Sequence, residues 1–167
     1  MARTGTIVAR RRAGGVDQSS SPDMATYRAT VNSPMSVEEV FDFLADFSNA
    51  PEWDENTKTS VLKSGEPYSV GATYEVVTGF AGRDLTLTYE TTEIERPNRV
   101  VLRSGTGMAD IEDVMTFQPS GDGTLVTYEA NILPKPLAKI FDPVFALIFK
   151  RVGDRAAGSL KAALKAK

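Results

Sequence analysis

Neither cysteine nor histidine occurs among the 167 residues of this chain. Without cysteine there is no disulfide, no thiolate nucleophile and no sulfur-ligated zinc or iron–sulfur cluster. Without histidine there is no imidazole base, which removes Ser-His-Asp and Cys-His machinery. The commonest metal ligand goes with it, so a cation site would need carboxylates alone. The acid pairs Glu38-Glu39 and Glu112-Asp113 lack the spacing of a cage. No metal and no cofactor are therefore expected, and acid–base work is left to Asp, Glu, Lys, Tyr and Arg. Long apolar runs are missing too. The longest near either end, Val144 to Phe149, is far too short to cross a bilayer. Arg10-Arg11-Arg12 is not followed by the apolar stretch of an export signal, so a cytoplasmic location is expected.

What is present is ordinary globular composition, 41% hydrophobic and 25% charged, enough for one domain with one core. The net charge of −3 argues against a nucleic-acid partner. That charge is unevenly spread. Residues 24–133 carry a net −11 and residues 134–167 a net +6. A basic C-terminal helix lying on an acidic body is the plain reading. The same helix could also meet anionic headgroups, which leaves transient membrane contact open.

Residues 1–23 have no apolar periodicity and read as a disordered tail, with Met24 an alternative start to Met1. The folded domain is expected over 24–167. Tyr27, Ala29 and Val31 alternate on a first strand, 25–32. Ser36 and Glu39 have the spacing of a capping box, with Met35 and Val40 placed as a hydrophobic staple. The helix that follows should bury Val37, Val40, Phe41, Leu44 and Phe47. Asn49 is placed to cap a second short helix containing Pro51 and Trp53. Six strands are then expected at 57–64, 71–80, 83–95, 99–105, 108–118 and 123–132, with Asp122-Gly123 as a hairpin signal in the last separator. Three/four spacing from Leu137 to Leu164 predicts a long amphipathic helix over 135–166. Pro143 should interrupt it, with Asp142 as N-cap of a fresh helix.

This order of elements, with Val37–Phe47, Asn49–Asp54, Val70–Tyr74, Glu95–Arg99 and Gly123–Tyr128, resembles the START-like (SRPBCC) superfamily, and within it the polyketide cyclase/dehydrase and lipid transport family. The resemblance spans essentially 24–166. It implies an α+β helix-grip fold: a curved antiparallel sheet of about seven strands wrapped around the C-terminal helix, two short helices after the first strand, and a cavity between sheet and helix. Elementary packing leads to the same place, because the apolar face of the sheet must be covered and one long helix is the element available.

Two functions compete. One is binding of an apolar small molecule such as a lipid, polyketide or isoprenoid. Its expected wall is Tyr74, Val76, Phe80, Leu87, Tyr89 and Tyr128 from the sheet, Phe141, Phe145, Ile148 and Phe149 from the helix, with Trp53 also a ligand-binding candidate whose emission would respond only if it lies at the mouth. Tyr74 and Tyr128 would offer hydroxyls to a polar end. The other is a cyclase-type enzyme, for which Arg103, Asp113, Tyr89 and Tyr128 are the candidate catalytic groups. Asp113 shares strand parity with Ile111, Met115 and Phe117, which would point it inward with a raised pKa, but a bulge that returns it to solvent or a pairing with Arg103 is the favoured reading. Gly153 and Gly158 each cost the C-terminal helix roughly 1 kcal/mol relative to Ala, which a close-approaching ligand or sheet would rationalise. The oligomeric state is left open.

Overall fold

The computed structural model describes residues 6–7, 24–135 and 143–167, in which one antiparallel sheet carries the C-terminal helix on its apolar face. The strands are β1 (Thr6–Ile7), β2 (Ala25–Ser33), β3 (Thr57–Ser64), β4 (Thr73–Phe80), β5 (Arg83–Glu95), β6 (Arg99–Gly105), β7 (Ala109–Ser120) and β8 (Gly123–Pro134). Their spatial order is β1-β2-β8-β7-β6-β5-β4-β3. Seven long strands thus form the body of the sheet. β1 adds a two-residue edge, Thr6 opposite Arg28 and Ile7 opposite Tyr27, inside a stretch that by pattern alone had no element. The rest of 1–23 lies outside the described residues.

The expected capping box is present. Ser36 N donates to Glu39 Oε2 at 2.9 Å and Glu39 N donates to Ser36 Oγ at 3.3 Å, so the helix α1 (Val37–Ala45) starts with two satisfied amides. Val40, Phe41, Phe43, Leu44 and Ala45 are buried, and the Phe41 ring meets Phe117 edge-on at 5.8 Å. Each of the larger side chains removed from water contributes roughly 1.5–3 kcal/mol. Val37 is only half-buried, since it opens the helix at the rim of the core. Asn49 does not cap the next helix. Its Nδ2 donates back to Phe43 O at 3.0 Å, and Asp46 caps the intervening 3-10 turn, Phe47–Asn49, by accepting from Ser48 N. The short helix α2 (Ala50–Trp53) follows, with Pro51 in its first turn.

The β4–β5 hairpin turns on Ala81-Gly82, both at positive φ (52° and 76°), as a type I′ loop requires. The β7–β8 hairpin turns on Gly121-Asp122 and not on Asp122-Gly123. Ser120 pairs with Gly123, and Gly121 takes the positive φ at the first loop position. A glycine there suits a II′ turn, which is why the Asp-Gly dipeptide is shifted by one residue.

The helix α3 (Pro143–Ala166) begins at the proline that was expected to interrupt it. Asp142, its expected cap, falls among residues 136–142, outside the described part. The C-terminal half of α3 buries Leu160 and Leu164 with Val40, Phe41, Leu44 and Trp53 in the main core. Its N-terminal half packs Phe149 on Tyr27 and Ala29 of β2 in a second, smaller cluster.

Candidate functional site

Between these two clusters lies a cavity of about 570 Å³, with sheet as floor and α3 as roof. It follows from the pleat. Inward residues of β4, β5, β7 and β8 recur every second position, and a single helix cannot reach all of them. Val76 and Phe80 of β4, Leu87 and Tyr89 of β5, and Tyr128 of β8 line it as expected. So do Phe145, Ile148 and Phe149 of α3, the two phenyl rings stacked with centroids 6.3 Å apart. Phe141 lies outside the described residues. Met108 and Val144, each more than half exposed, line the cavity where it meets solvent.

Tyr74 is a correction. It sits on the inward face of β4, fully buried, but does not line the cavity. Phe47, carried in by the 3-10 turn, lies over it at 6.0 Å and over Tyr89 at 5.1 Å, closing that end of the sheet. Trp53 does line the cavity, but not at its mouth. It is 2% exposed, packed against Phe47 and Tyr128, and lines the inner end.

Asp113 faces the cavity and is 4% exposed. The ladder through it is unbroken, Leu102 on one side and Ala130 on the other, so no bulge returns it to solvent. Tyr128 Oη donates to Asp113 Oδ1 at 3.2 Å, and Tyr89 of β5 lies on the same cavity wall. Burial pushes Asp113 up to about 7, with the Asp54 charge adding to it and the two tyrosine hydroxyls opposing. Burial and the Asp113 carboxylate together hold Tyr89 and Tyr128 well above the ordinary phenol range. Arg103 does not belong to this group. It is on the outer face of β6, where Nε contacts Glu112 at 2.8 Å and Nη2 contacts Glu93 at 3.3 Å. One residue along a strand reverses the face, and Leu102 occupies the inward side instead.

The polar corner that pattern reading missed is Asp54-Glu55-Asn56-Thr57. Asn56 Nδ2 donates to Asp54 Oδ1 at 2.8 Å and to Val152 O of α3 at 3.1 Å, while Asn56 O accepts from Gly79 N at 2.8 Å. One residue therefore ties the loop after α2 to β4 through its backbone carbonyl and to the middle of the roofing helix through its side chain. A run of short polar residues directly after Trp53 was the available signal, since such residues bond backbone locally. Among the described residues no group of acids is arranged to hold a metal ion, and no helix is long and apolar enough to cross a membrane.

A family model described as polyketide cyclase / dehydrase and lipid transport matches residues 24–165. The chain belongs to this family. No curated protein matches it in sequence. Among solved structures, a START superfamily protein from Mycobacterium smegmatis superposes with a TM-score of 0.70 at 14% identity, covering 83% of this chain and 96% of that one. A major latex-like protein from Panax ginseng gives 0.62 at 16% identity, with coverages of 83% and 96%. The di-domain ARO/CYC StfQ from the steffimycin biosynthetic pathway gives 0.67 at 13% identity, covering 86% of this chain and 50% of that one. At these identities the likeness establishes the START-like fold, and the family membership rests on the sequence model.

Proposed function

We propose that the protein binds an apolar or amphipathic small molecule, of the lipid, polyketide or isoprenoid class, between the sheet and α3. The supporting observation is the cavity of about 570 Å³, which lies in the range of small-molecule sites and has a mostly apolar wall with a few polar groups. Its site residues are Trp53, Val76, Phe80, Leu87, Tyr89, Tyr128, together with Phe145, Ile148 and Phe149 of the roof. The proposal extends to a cytoplasmic site of action and to transient membrane contact through the basic face of α3, which belongs to a segment of net charge +6.

A second reading, a cyclase-type enzyme, draws on one feature: the buried Asp113 beside Tyr128 and Tyr89. A carboxyl raised to about 7 is suited to proton transfer near neutrality. Arg103 has no part in it, because it lies on the other face of the sheet.

Native mass spectrometry of the purified protein, followed by titration with an environment-sensitive apolar probe, tests the binding reading. Trp53 is the sole tryptophan and lines the cavity, so its emission should change on occupancy. Ala130→Phe places a ring into the floor of the cavity from β8 and should weaken a bulky probe while the protein stays folded. A wild type that carries no ligand and binds no apolar probe would defeat the reading.

A further inference from the structure

Among the described residues, the charges on the cavity wall are all of one sign. Among the described residues that line it, the ionisable carboxyls are Asp54 and Asp113, and no lysine or arginine is present. The two acids differ in what they have left to offer. Asp54 is engaged locally: Oδ1 accepts from Asn56 N and Nδ2, and Oδ2 accepts from Thr57 Oγ1 at 2.8 Å. Asp113 accepts from the Tyr128 hydroxyl, and a carboxylate has about four lone-pair sites. It keeps acceptor capacity in a wall that is otherwise apolar.

Most of the hydroxyl donors on the wall are already committed. Tyr128 donates to Asp113, Thr57 to Asp54, Thr78 to Asn56 O and Thr106 to Ala109 O. The Trp53 indole N–H is buried without a partner, but one neutral donor does not offset two carboxylates. A ligand anion would therefore enter a low-dielectric site with no cation to meet it, against like charge. A hydroxyl or ammonium group would meet an acceptor with room for it.

Resting on the binding reading above, we infer that this cavity selects an apolar molecule with a hydrogen-bond-donating head, neutral or cationic, seated on Asp113, and rejects the corresponding carboxylate. Fatty acids and other carboxylate amphiphiles fall outside its ligand class. The groups facing Asp113 are Tyr128 from β8, Tyr89 from β5 and Asp54 from the loop after α2, with Glu112 adjacent on β7. The part of α3 over the cavity brings no charged side chain to the wall. Because burial holds Asp113 near neutrality, the selection should depend on pH.

The test is calorimetric titration of the full chain with four ligands sharing one apolar body: 2-naphthol, 2-naphthylmethylamine, 2-naphthoate and 2-methylnaphthalene. At about pH 8.5, where Asp113 is ionised, naphthol and the amine should bind at least about tenfold tighter than naphthoate. At about pH 5.5 the advantage of the amine should shrink, since its partner is protonated. Asp113→Asn should abolish that pH dependence, and Tyr128→Phe, which keeps the carboxyl, should retain the bias against naphthoate. If the Asn variant fails to fold, the pH series on the wild type decides alone. Naphthoate binding within about threefold of naphthol at the higher pH overturns the inference while leaving the cavity as a binding site. Failure of all four, 2-methylnaphthalene included, removes the binding reading and this inference with it.

Discussion

Gly153 of α3 rests directly on the ring of Tyr27 in β2. A methyl group built on Gly153 would come within 2.5 Å of Tyr27 Cδ2, so the helix and the strand meet at a distance only glycine permits. Tyr27 Oη donates to Asp154 Oδ1 at 3.0 Å, one residue further along the helix. The contact sets how closely α3 approaches the sheet beside the cavity.

Gly153→Ala should accordingly destabilise the protein by about 1–3 kcal/mol, the usual cost of overpacking. Gly158→Ala should do the reverse. Nothing lies within 4 Å of a methyl there, so the helix gains up to about 1 kcal/mol. Urea denaturation of the two single variants checks the pair, and the same sign for both would contradict the contact as described.

Ser36→Ala should cost about 1 kcal/mol, the typical value of an N-cap. Glu39→Ala removes the other half of the same box, so the double variant should lose less than the sum of the singles. The hydrogen bonds from the Ser36 backbone and hydroxyl hold the Glu39 carboxyl below its ordinary range. Glu39's share of the cap is therefore present above that ordinary range and lost as pH falls through the lowered value. Additive losses in the cycle would show that the two residues act separately.

Asp113 has the opposite linkage. Its carboxyl titrates near 7 in the fold and near 3.8 when exposed, so between these values the native state holds a proton that the unfolded state has released. The stability it contributes is complete below the lower value and is lost as pH rises to about 7. Asp113→Asn should be more stable than the wild type above neutrality, by up to a few kcal/mol, with the gap closing towards about pH 4. Chemical denaturation of both proteins across that range measures it. A gap that does not change with pH would mean the carboxyl is not held in its neutral form by burial.

Ala81 occupies a left-handed position, φ 52°, in the β4–β5 turn, where a Cβ costs roughly 1 kcal/mol. Ala81→Gly, which removes that Cβ at a position where type I′ turns favour glycine, should raise the denaturation midpoint by up to a corresponding amount. An unchanged or lower midpoint would count against the turn geometry.

Strand boundaries were readable because the separators are chemically distinct. β5 and β6 begin and end where the Ala81-Gly82, Pro97-Asn98 and Thr106-Gly107 breaks place them. The parity of Asp113 was readable for the same reason, since an unbroken ladder preserves alternation from Ile111 to Phe117. Arg103 and Tyr74 were misplaced for different causes. Arg103 pairs with Glu112 and shares its outer face, one position out of step with Asp113, and that register is set between strands and not by alternation within either. Tyr74 has the right parity, but only the tertiary path of the 3-10 turn reveals that Phe47 covers it. The Asn56 anchor is invisible to periodicity, because its partners lie on β4 and α3, 23 and 96 residues away.

The position of β2 has a consequence for how the chain reaches its folded state. β2 is the first long strand, yet its long neighbour is β8, with Ala25 opposite Ile132, and the helix on its inner face is α3. Both partners are made last. Residues 25–33 must therefore wait, with half their ladder unpaired, until nearly the whole chain is available, while β3 to β8 can zip as successive hairpins. Closure of the β2–β8 ladder is a long-range, entropically costly event, the kind that slows folding and gives a late barrier. Ribosome-bound chains lacking β8 and α3 should expose the Tyr27 face to chaperones, and destabilising that ladder should lengthen the interval during which the chain is vulnerable to aggregation.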